Sequence, residues 1–376
     1  MDLVLILSQE HETLPISEIK AVLFSENIEA EIEVIISGLI YLKNLKKEDF
    51  INNYKILVKR LGYAHEILEV ISTYNMEQIS NSYKLTRDYY LTNNIDSNNN
   101  LNNNLNLLFK DFKAINWNNY VQSDFAVRVK KFGDVSVDTL NLERELGGLI
   151  KITNPKFSID LDNPNSFIKV LLSEKKLFIC IRRFKINKKH FQEVKPHKRP
   201  FFYPGSMSPK LARAMVNLSR VKKGDLVMDP FCGTGGILIE AGLIDTKVIG
   251  SDIQWKMKNG TGINLNHYGI TNYELHHLDV REMKLFEKVD SVVTDPPYGI
   301  STSTGGENSE KVFYQFLDSI SKNIKTDGII VLASPDSLNL DEILNKLGFN
   351  ILERHKIKMH KSLTRVISVI SKNKGE

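Results

Sequence analysis

Cysteine is nearly absent from this chain: Cys180 and Cys232 stand far apart with no CxxC companion. Two such residues exclude a disulfide scaffold and a cysteine-based zinc site, and they fit a reducing compartment. No metal site is expected. Long apolar runs are missing as well. Leu3-Val4-Leu5-Ile6-Leu7 is far too short to cross a bilayer, and no basic segment precedes it. It reads as a buried strand, so a cytoplasmic protein that does not enter a membrane is expected. Charge of one sign is also lacking. Fifty Lys and Arg against 45 Asp and Glu leave +5, with a pI of about 8.8. That balance suits a polyanionic partner without demanding one.

What is present is apolar material, 42% of 376 residues, which is enough for two or three separate cores. Three regions differ in character. Up to about residue 120, strand-like runs (3–7, 33–37) alternate with helical ones. Residues 17–24 read as a helix with Ser17 as its N-cap, and 63–72 as a helix or a strand. Residues 93–106 are an asparagine-rich tract that forms neither element well, so a surface insertion or loop is expected.

From Asp124 to about Phe184, Phe125-Ala126-Val127-Arg128-Val129-Lys130 alternates with period two, as a half-buried strand does. A helix follows over 140–149, with Gly147-Gly148 as a C-cap. Strands at 167–172 and 177–181 are joined by a turn. Residues 182–199 then carry eight Lys or Arg against one Glu, with Phe184 and Phe191 between them. This stretch is a solvated connector or a phosphate-tracking strip; the aromatic interleaving favours the strip. Arg182, Arg183, Lys185, Lys188, Lys189, Lys198 and Arg199 are its candidate RNA contacts. From about Pro200 onward, strand and helix alternate regularly, the pattern of a parallel sheet covered by helices.

Four motifs in that last region carry chemistry. Asp229-Pro230-Phe231-Cys232-Gly233-Thr234-Gly235-Gly236 lies between a strand and a helix. Its glycines allow a tight turn and close approach to a ligand. The dinucleotide spacing G-x-G-x-x-G is absent, and a helix start also suits the carboxylate of an amino acid. In Val248-Ile249-Gly250-Ser251-Asp252, followed by Ile253, the acid at a strand tip is placed to accept both hydroxyls of a ribose; the plainer alternative is a helix cap. In His277-Leu278-Asp279-Val280-Arg281, Asp279 is an acceptor for an adenine amine or, again, a cap.

The fourth, Val292-Val293-Thr294-Asp295-Pro296-Pro297-Tyr298-Gly299, is the most specific. Two prolines remove two donors and fix two φ angles. The Asp295 carboxylate and neighbouring carbonyls then form a paired acceptor for an NH2 group, and Tyr298 offers a face on which a base can stack. The lone pair of such an amine is delocalised into its ring. Hydrogen bonds to its protons favour localising that pair, and a carboxylate stabilises the charge that develops on methylation.

This ordered set resembles the amino-methyltransferase branch of the Rossmann-like methyltransferases. The stretch Arg199-Pro200-Phe201-Phe202-Tyr203-Pro204-Gly205-Ser206-Met207-Ser208-Pro209 is similar to the entry segment of THUMP-containing tRNA guanine-N2 methyltransferases. The archaeal tRNA (guanine(10)-N2)-dimethyltransferase family is the best match. The resemblance implies an α/β chain: a Rossmann-like methyltransferase domain with a mostly parallel seven-stranded sheet, preceded by α+β ferredoxin-like and THUMP domains. Its boundaries would be 1–50 (ferredoxin-like), 51–184 (THUMP), 185–199 (basic linker) and 200–376 (catalytic).

The resemblance further implies S-adenosyl-L-methionine as cofactor. Asp229, Pro230, Phe231, Cys232, Gly233, Thr234 and Gly235 would line its methionine part, Asp252 and Ile253 its ribose, and Asp279 and Val280 its adenine. Asp295, Pro296, Pro297 and Tyr298 would hold the target guanine, and 204–206 would close over the cofactor or base. The implied product is N2-methyl- and N2,N2-dimethylguanosine at tRNA position 10. Another tRNA position, or a DNA adenine-N6 or cytosine-N4 target, are the alternatives. An inactive RNA-binding scaffold and a nicotinamide-dependent dehydrogenase are rivals, the latter lacking its glycine pattern. A monomer is expected, and the need for a small activating subunit stays open.

Other features read as structural. His276 and His277, adjacent on a strand, point to opposite faces and cannot share a ligand. Trp117 is a packing residue. Trp255 packs too or flanks the adenine. Residues 301–306 are a plain loop or a lid over the base.

Overall fold

A strand covered on both faces reads as an unbroken apolar run, and Leu3–Leu7 (β1) is buried at all five positions. The computed structural model describes residues 1–46, 50–76, 102–297, 309–360 and 363–373, in two compact units. The first unit comprises Met1–Gln9, Glu29–Tyr54 and Ala64–Ile186; the second comprises Glu10–Ile28, Lys55–Tyr63 and Asn187–Glu376.

In chain order, β1 is followed by α1 (Leu14–Ser25), β2 (Glu31–Ile36), β3 (Leu39–Lys43), α2 (Phe50–Arg60) and β4 (Ala64–Asn75). Then come α3 (Asn102–Ala114), β5 (Asp124–Phe132), α4 (Thr139–Thr153), β6 (Ser158–Ile159), β7 (Ser166–Ser173) and β8 (Lys176–Lys185). The strands form one eight-stranded sheet in the order β2-β3-β1-β4-β8-β7-β5-β6. Leu142, Leu146 and Ile150 of α4 recur at helical spacing and pack with Phe125, Ile168 and Ile179.

Three local expectations change. Helix α1 begins at Leu14, not at Ser17, because Pro15 occupies its first turn, where no donor is needed; Thr13 is the cap position. Residues 63–72, left open between helix and strand, are strand from Ala64 onward. Gly147 and Gly148 lie inside α4 and do not end it: the apolar stripe runs on to Ile150, and the helix closes at Asn154. Of the asparagine-rich tract, 102–106 belong to α3, and the rest lies outside the described residues.

The second unit contains α5 (Lys189–Glu193), α6 (Pro209–Leu218), β9 (Leu226–Asp229), α7 (Gly236–Gly242), β10 (Lys247–Asp252) and α8 (Trp255–His267). These are followed by β11 (Tyr273–His277), β12 (Val289–Thr294), α9 (Ser309–Asn323), β13 (Ile324–Pro335), α10 (Leu340–Lys346), β14 (Phe349–His360) and β15 (Leu363–Lys372). Its sheet runs β11-β10-β9-β12-β13-β15-β14. The first five strands pair in parallel; β15 is antiparallel to both β13 and β14. The seven-stranded sheet is therefore mixed, with one inverted strand.

Sequence order along the sheet reverses between β9 and β12, and a crevice opens there at the carboxyl ends of the strands. Helix α1 also belongs to this unit. Its buried Glu18 accepts hydrogen bonds from the Gly62 and Tyr63 amides and from Asn217 of α6, at 2.8–2.9 Å. No helix among the described residues is long and apolar enough to cross a membrane.

Candidate active site

Four acids reach the carboxyl edge of the second sheet because each ends a parallel strand or follows one within two residues. Asp229 ends β9. Its Oδ1 accepts from the Phe231 amide (3.1 Å) and the Thr294 hydroxyl (2.7 Å). Burial pushes its carboxyl up to about 7, and the nearby Asp295 and Asp252 push the same way.

The following turn is drawn tight by the Gly235 amide on the Cys232 carbonyl (2.7 Å). Gly233 and Gly235 have φ of +52° and +78°, the left-handed region. A Cβ on Gly235 would stand 2.9 Å from the Thr261 methyl. Asp252 ends β10 and binds this turn, accepting from the Gly233 amide (3.0 Å) and the Gln254 amide (2.8 Å). Burial raises its pKa as well.

Asp279 follows β11 and is gripped by Arg281 at 2.6 and 3.0 Å, which holds it below the usual carboxylate range. Asp295 follows β12 and pairs with Arg365 at 3.1 Å.

These side chains border two cavities. The larger, about 590 Å³, is lined by Pro230, Phe231, Gly233, Asp252, Ile253, Asp279, Val280 and Asp295 among the expected residues. The smaller, about 170 Å³, is lined by Asp229, Phe231, Cys232, Gly233, Thr234 and Asp295, with 203–207 as another wall. Asp295, Phe231, Gly233 and Met257 line both. Gly235 lines neither; it shapes the turn. Pro296 is buried, Pro297 lines the larger cavity, and Tyr298 with the 301–306 loop lies outside the described residues.

The segment leading in is fixed from below. Asn264, fully buried, bonds the Phe201 amide and carbonyl and the Thr234 carbonyl at 2.8–2.9 Å. Phe201 lies so close on α8 that a Cβ at Gly260 would come within 2.0 Å of its ring. Ser206 reaches the Thr234 hydroxyl at 3.0 Å.

The basic stretch is not one surface. Arg182 stacks on Phe167 (3.5 Å to the ring centroid) and lies 3.9 Å from Glu66; Arg183 pairs with Glu69 at 2.5 Å. Both belong to β8, not to a linker. Arg199, expected to meet RNA, is buried instead: it donates to the Val194 carbonyl and the Thr234 hydroxyl, beneath the glycine turn. Lys185, Lys188, Lys189 and Lys198 are exposed.

His277 bonds the Ile253 carbonyl (2.9 Å), while His276 lies near Glu274 (3.6 Å). Trp117 is fully buried in the first unit, and Trp255 is exposed and lines neither cavity. The sequence reading missed Arg281, Gln254, Met257, Val312 and Arg365. Arg281 and Gln254 were within reach as neighbours of the motif acids; Val312 and Arg365 carry no local signal.

Crowding of Asp229, Asp252 and Asp295 around one cleft repels a pyrophosphate, which the dehydrogenase reading requires. It suits an amino-acid cofactor bearing positive charge.

Comparison with known proteins agrees. A family model described as "RMKL-like, methyltransferase domain" matches residues 196–367, and one described as "DNA methylase" matches 39–261, ending before Asp295. The tRNA (guanine(10)-N2)-dimethyltransferase of Methanothermobacter thermautotrophicus is 45% identical over 99% of this chain and 100% of its own. That of Methanocaldococcus jannaschii is 39% identical over 98% and 99%. The crystal structure of TrmN from Thermus thermophilus shares the fold at 16% identity, with a TM-score of 0.56 over 99% of this chain and 100% of that one. On whole-length identity of this order, the chain belongs to the archaeal tRNA (guanine(10)-N2)-dimethyltransferase family.

Proposed function

We propose that this enzyme methylates the exocyclic N2 of a guanine in tRNA, at position 10, giving N2-methyl- and then N2,N2-dimethylguanosine. The single observation that carries the reading is the position of Asp295, which borders both the larger cavity and its smaller neighbour. With the methionine part in the smaller cavity and the adenosine part in the larger, a group that borders both stands beside the sulfonium that joins them. The named activity of the whole-length relatives supplies the nucleic acid, the base and the position.

S-adenosyl-L-methionine is the cofactor, and it supplies a methyl group activated on a sulfonium. The residues present fit it. Asp252 retains lone pairs beyond its two backbone bonds for the ribose hydroxyls. Ile253 and Val280 provide apolar walls for the adenine. Asp229, buried and pushed up to about 7, suits a cationic neighbour that favours its ionised form.

The acceptor side is the work of Asp295 and the two prolines. With no amide hydrogens at 296 and 297, the backbone there offers only carbonyls. The carboxylate accepts a hydrogen from the guanine amine and steadies positive charge as it grows on N2. Holding the amine beside the donor is catalysis chiefly by positioning. Tyr298 provides the stacking face for the base.

For the N-terminal half of the chain, we infer the grip on tRNA, with a ferredoxin-like part over 1–50 and a THUMP part over 51–184. The expected strands around Phe125 and Phe167 with α4 between them support this. Exposed Lys188, Lys189 and Lys198 of the second unit add phosphate contacts.

Incubation of the pure protein and labelled cofactor with unmodified tRNA or duplex DNA, followed by nucleoside mass mapping, tests the function. The label is expected in both N2-methylated guanosines at position 10 and not in DNA. Label in DNA, or on another nucleoside, contradicts the proposal.

A further inference from the structure

The inverted strand β15 brings its first residues, not its last, to the carboxyl edge of the sheet where the cleft opens. Arg365 is the third residue of that strand, opposite Pro335 at the end of β13 and Ile357 of β14. Its guanidinium stands 3.1 Å from the Asp295 carboxylate, Nη2 to Oδ2, with the two side chains 10% and 19% exposed. A cation so enclosed is costly to bury unless it is paired, so this is not a rim contact screened by water.

The carboxylate it meets sits among acids: Asp229 ends β9 and Asp252 ends β10, and the charges of Asp295 and Asp252 both favour protonation of Asp229. Among the described residues, Arg365 is the cation set against Asp295. Protonation would turn one oxygen of Asp295 from acceptor into donor, and rotation about its last side-chain bond, a broad and soft torsion, would turn the acceptor away.

We propose that Arg365 is the positioning residue of methyl transfer: its ion pair holds one oxygen of Asp295, so fixing the direction of the other, and keeps the carboxylate ionised beside Asp229. The inference rests on the function proposed above, in which Asp295 accepts a hydrogen from the guanine amine. Arg365 itself touches no reacting atom.

The test uses the full chain, tRNA and cofactor, with thermal unfolding confirming that each variant is folded. Arg365→Gln is expected to lower kcat about 100-fold, to leave KM for tRNA within about threefold, and to move the acid limb of the kcat profile to higher pH. Arg365→Lys keeps the charge and should return that limb to its original place. In an Asp295→Asn background, which has no carboxylate to orient or ionise, adding Arg365→Gln should cost less than about threefold, a non-additivity that marks the pair.

A folded Arg365→Gln enzyme with unaltered kcat overturns the inference. So does a loss that is equal at every pH and additive with Asp295→Asn. If the single variant does not fold, the double variant decides: a further 100-fold loss relative to Asp295→Asn overturns the inference, and near-equality supports it. Absence of transfer by the unaltered chain would instead overturn the function, and the inference with it.

Discussion

At the cleft, acidic side chains from four strand ends border two adjoining cavities, and only two of them, Asp279 and Asp295, are held by an arginine there. Between 182 and 199 the position is reversed. Eight basic side chains are divided between two units; Arg182 and Arg183 pair with Glu66 and Glu69, and Arg199 is buried beneath the glycine turn. The acids remain costly: burial and mutual repulsion push Asp229 up to about 7. Like charge that a fold leaves crowded marks a site, because it is tolerated only where a ligand answers it. Like charge that is merely dense in the sequence marks no site by itself.

The comparison can be broken from the acid side first. Asp252→Ala should weaken cofactor binding about 100-fold, the loss of two hydrogen bonds to a charged acceptor. Calorimetric titration with S-adenosylhomocysteine measures it, and a change under threefold would detach Asp252 from the ribose. Next is proton linkage. A cation bound beside Asp229 favours its ionised form, so binding below pH 7 should release a proton, and affinity should fall up to about tenfold per pH unit. Titrations in two buffers of different ionisation enthalpy read the proton directly.

The same shift has a stability sign. Its folded pKa lies above the unfolded value, so ionisation disfavours the fold and stability declines as pH rises from about 4 to about 7, then levels.

Two smaller effects sharpen the contrast. Gly235→Ala meets both the left-handed backbone and the Thr261 methyl, and it should cost about 1–2 kcal/mol in denaturant melts. Lys188→Gln with Lys189→Gln should reduce the salt slope of tRNA binding by about 2 with little loss of stability. Arg182→Gln, by contrast, should destabilise the first unit and leave the slope alone. A large slope change from Arg182 would restore the basic stretch as a single surface.

Much of the catalytic edge was legible because a parallel sheet constrains it. Once 226–229, 247–252 and 289–294 are strands, Asp229, Asp252 and Asp295 must share one edge. Arg365 was not legible: it lies 70 positions beyond Asp295, on a strand whose inverted direction is set by pairing with β13 and β14. Nor was the burial of Arg199, which depends on the glycine turn folding over it. In the first unit, the period-two run at 125–130 marked β5, whereas the Gly-Gly pair misled because the stripe around it continues to Ile150.

The central claim is that the Asp295 carboxylate holds the amine to be methylated. Single-turnover transfer to tRNA by Asp295→Ala, with tRNA and cofactor affinities measured on the same sample, tests it most directly. The account predicts a rate lowered about 1000-fold or more, with both affinities within about threefold. A variant that methylates guanine at the original rate would contradict it.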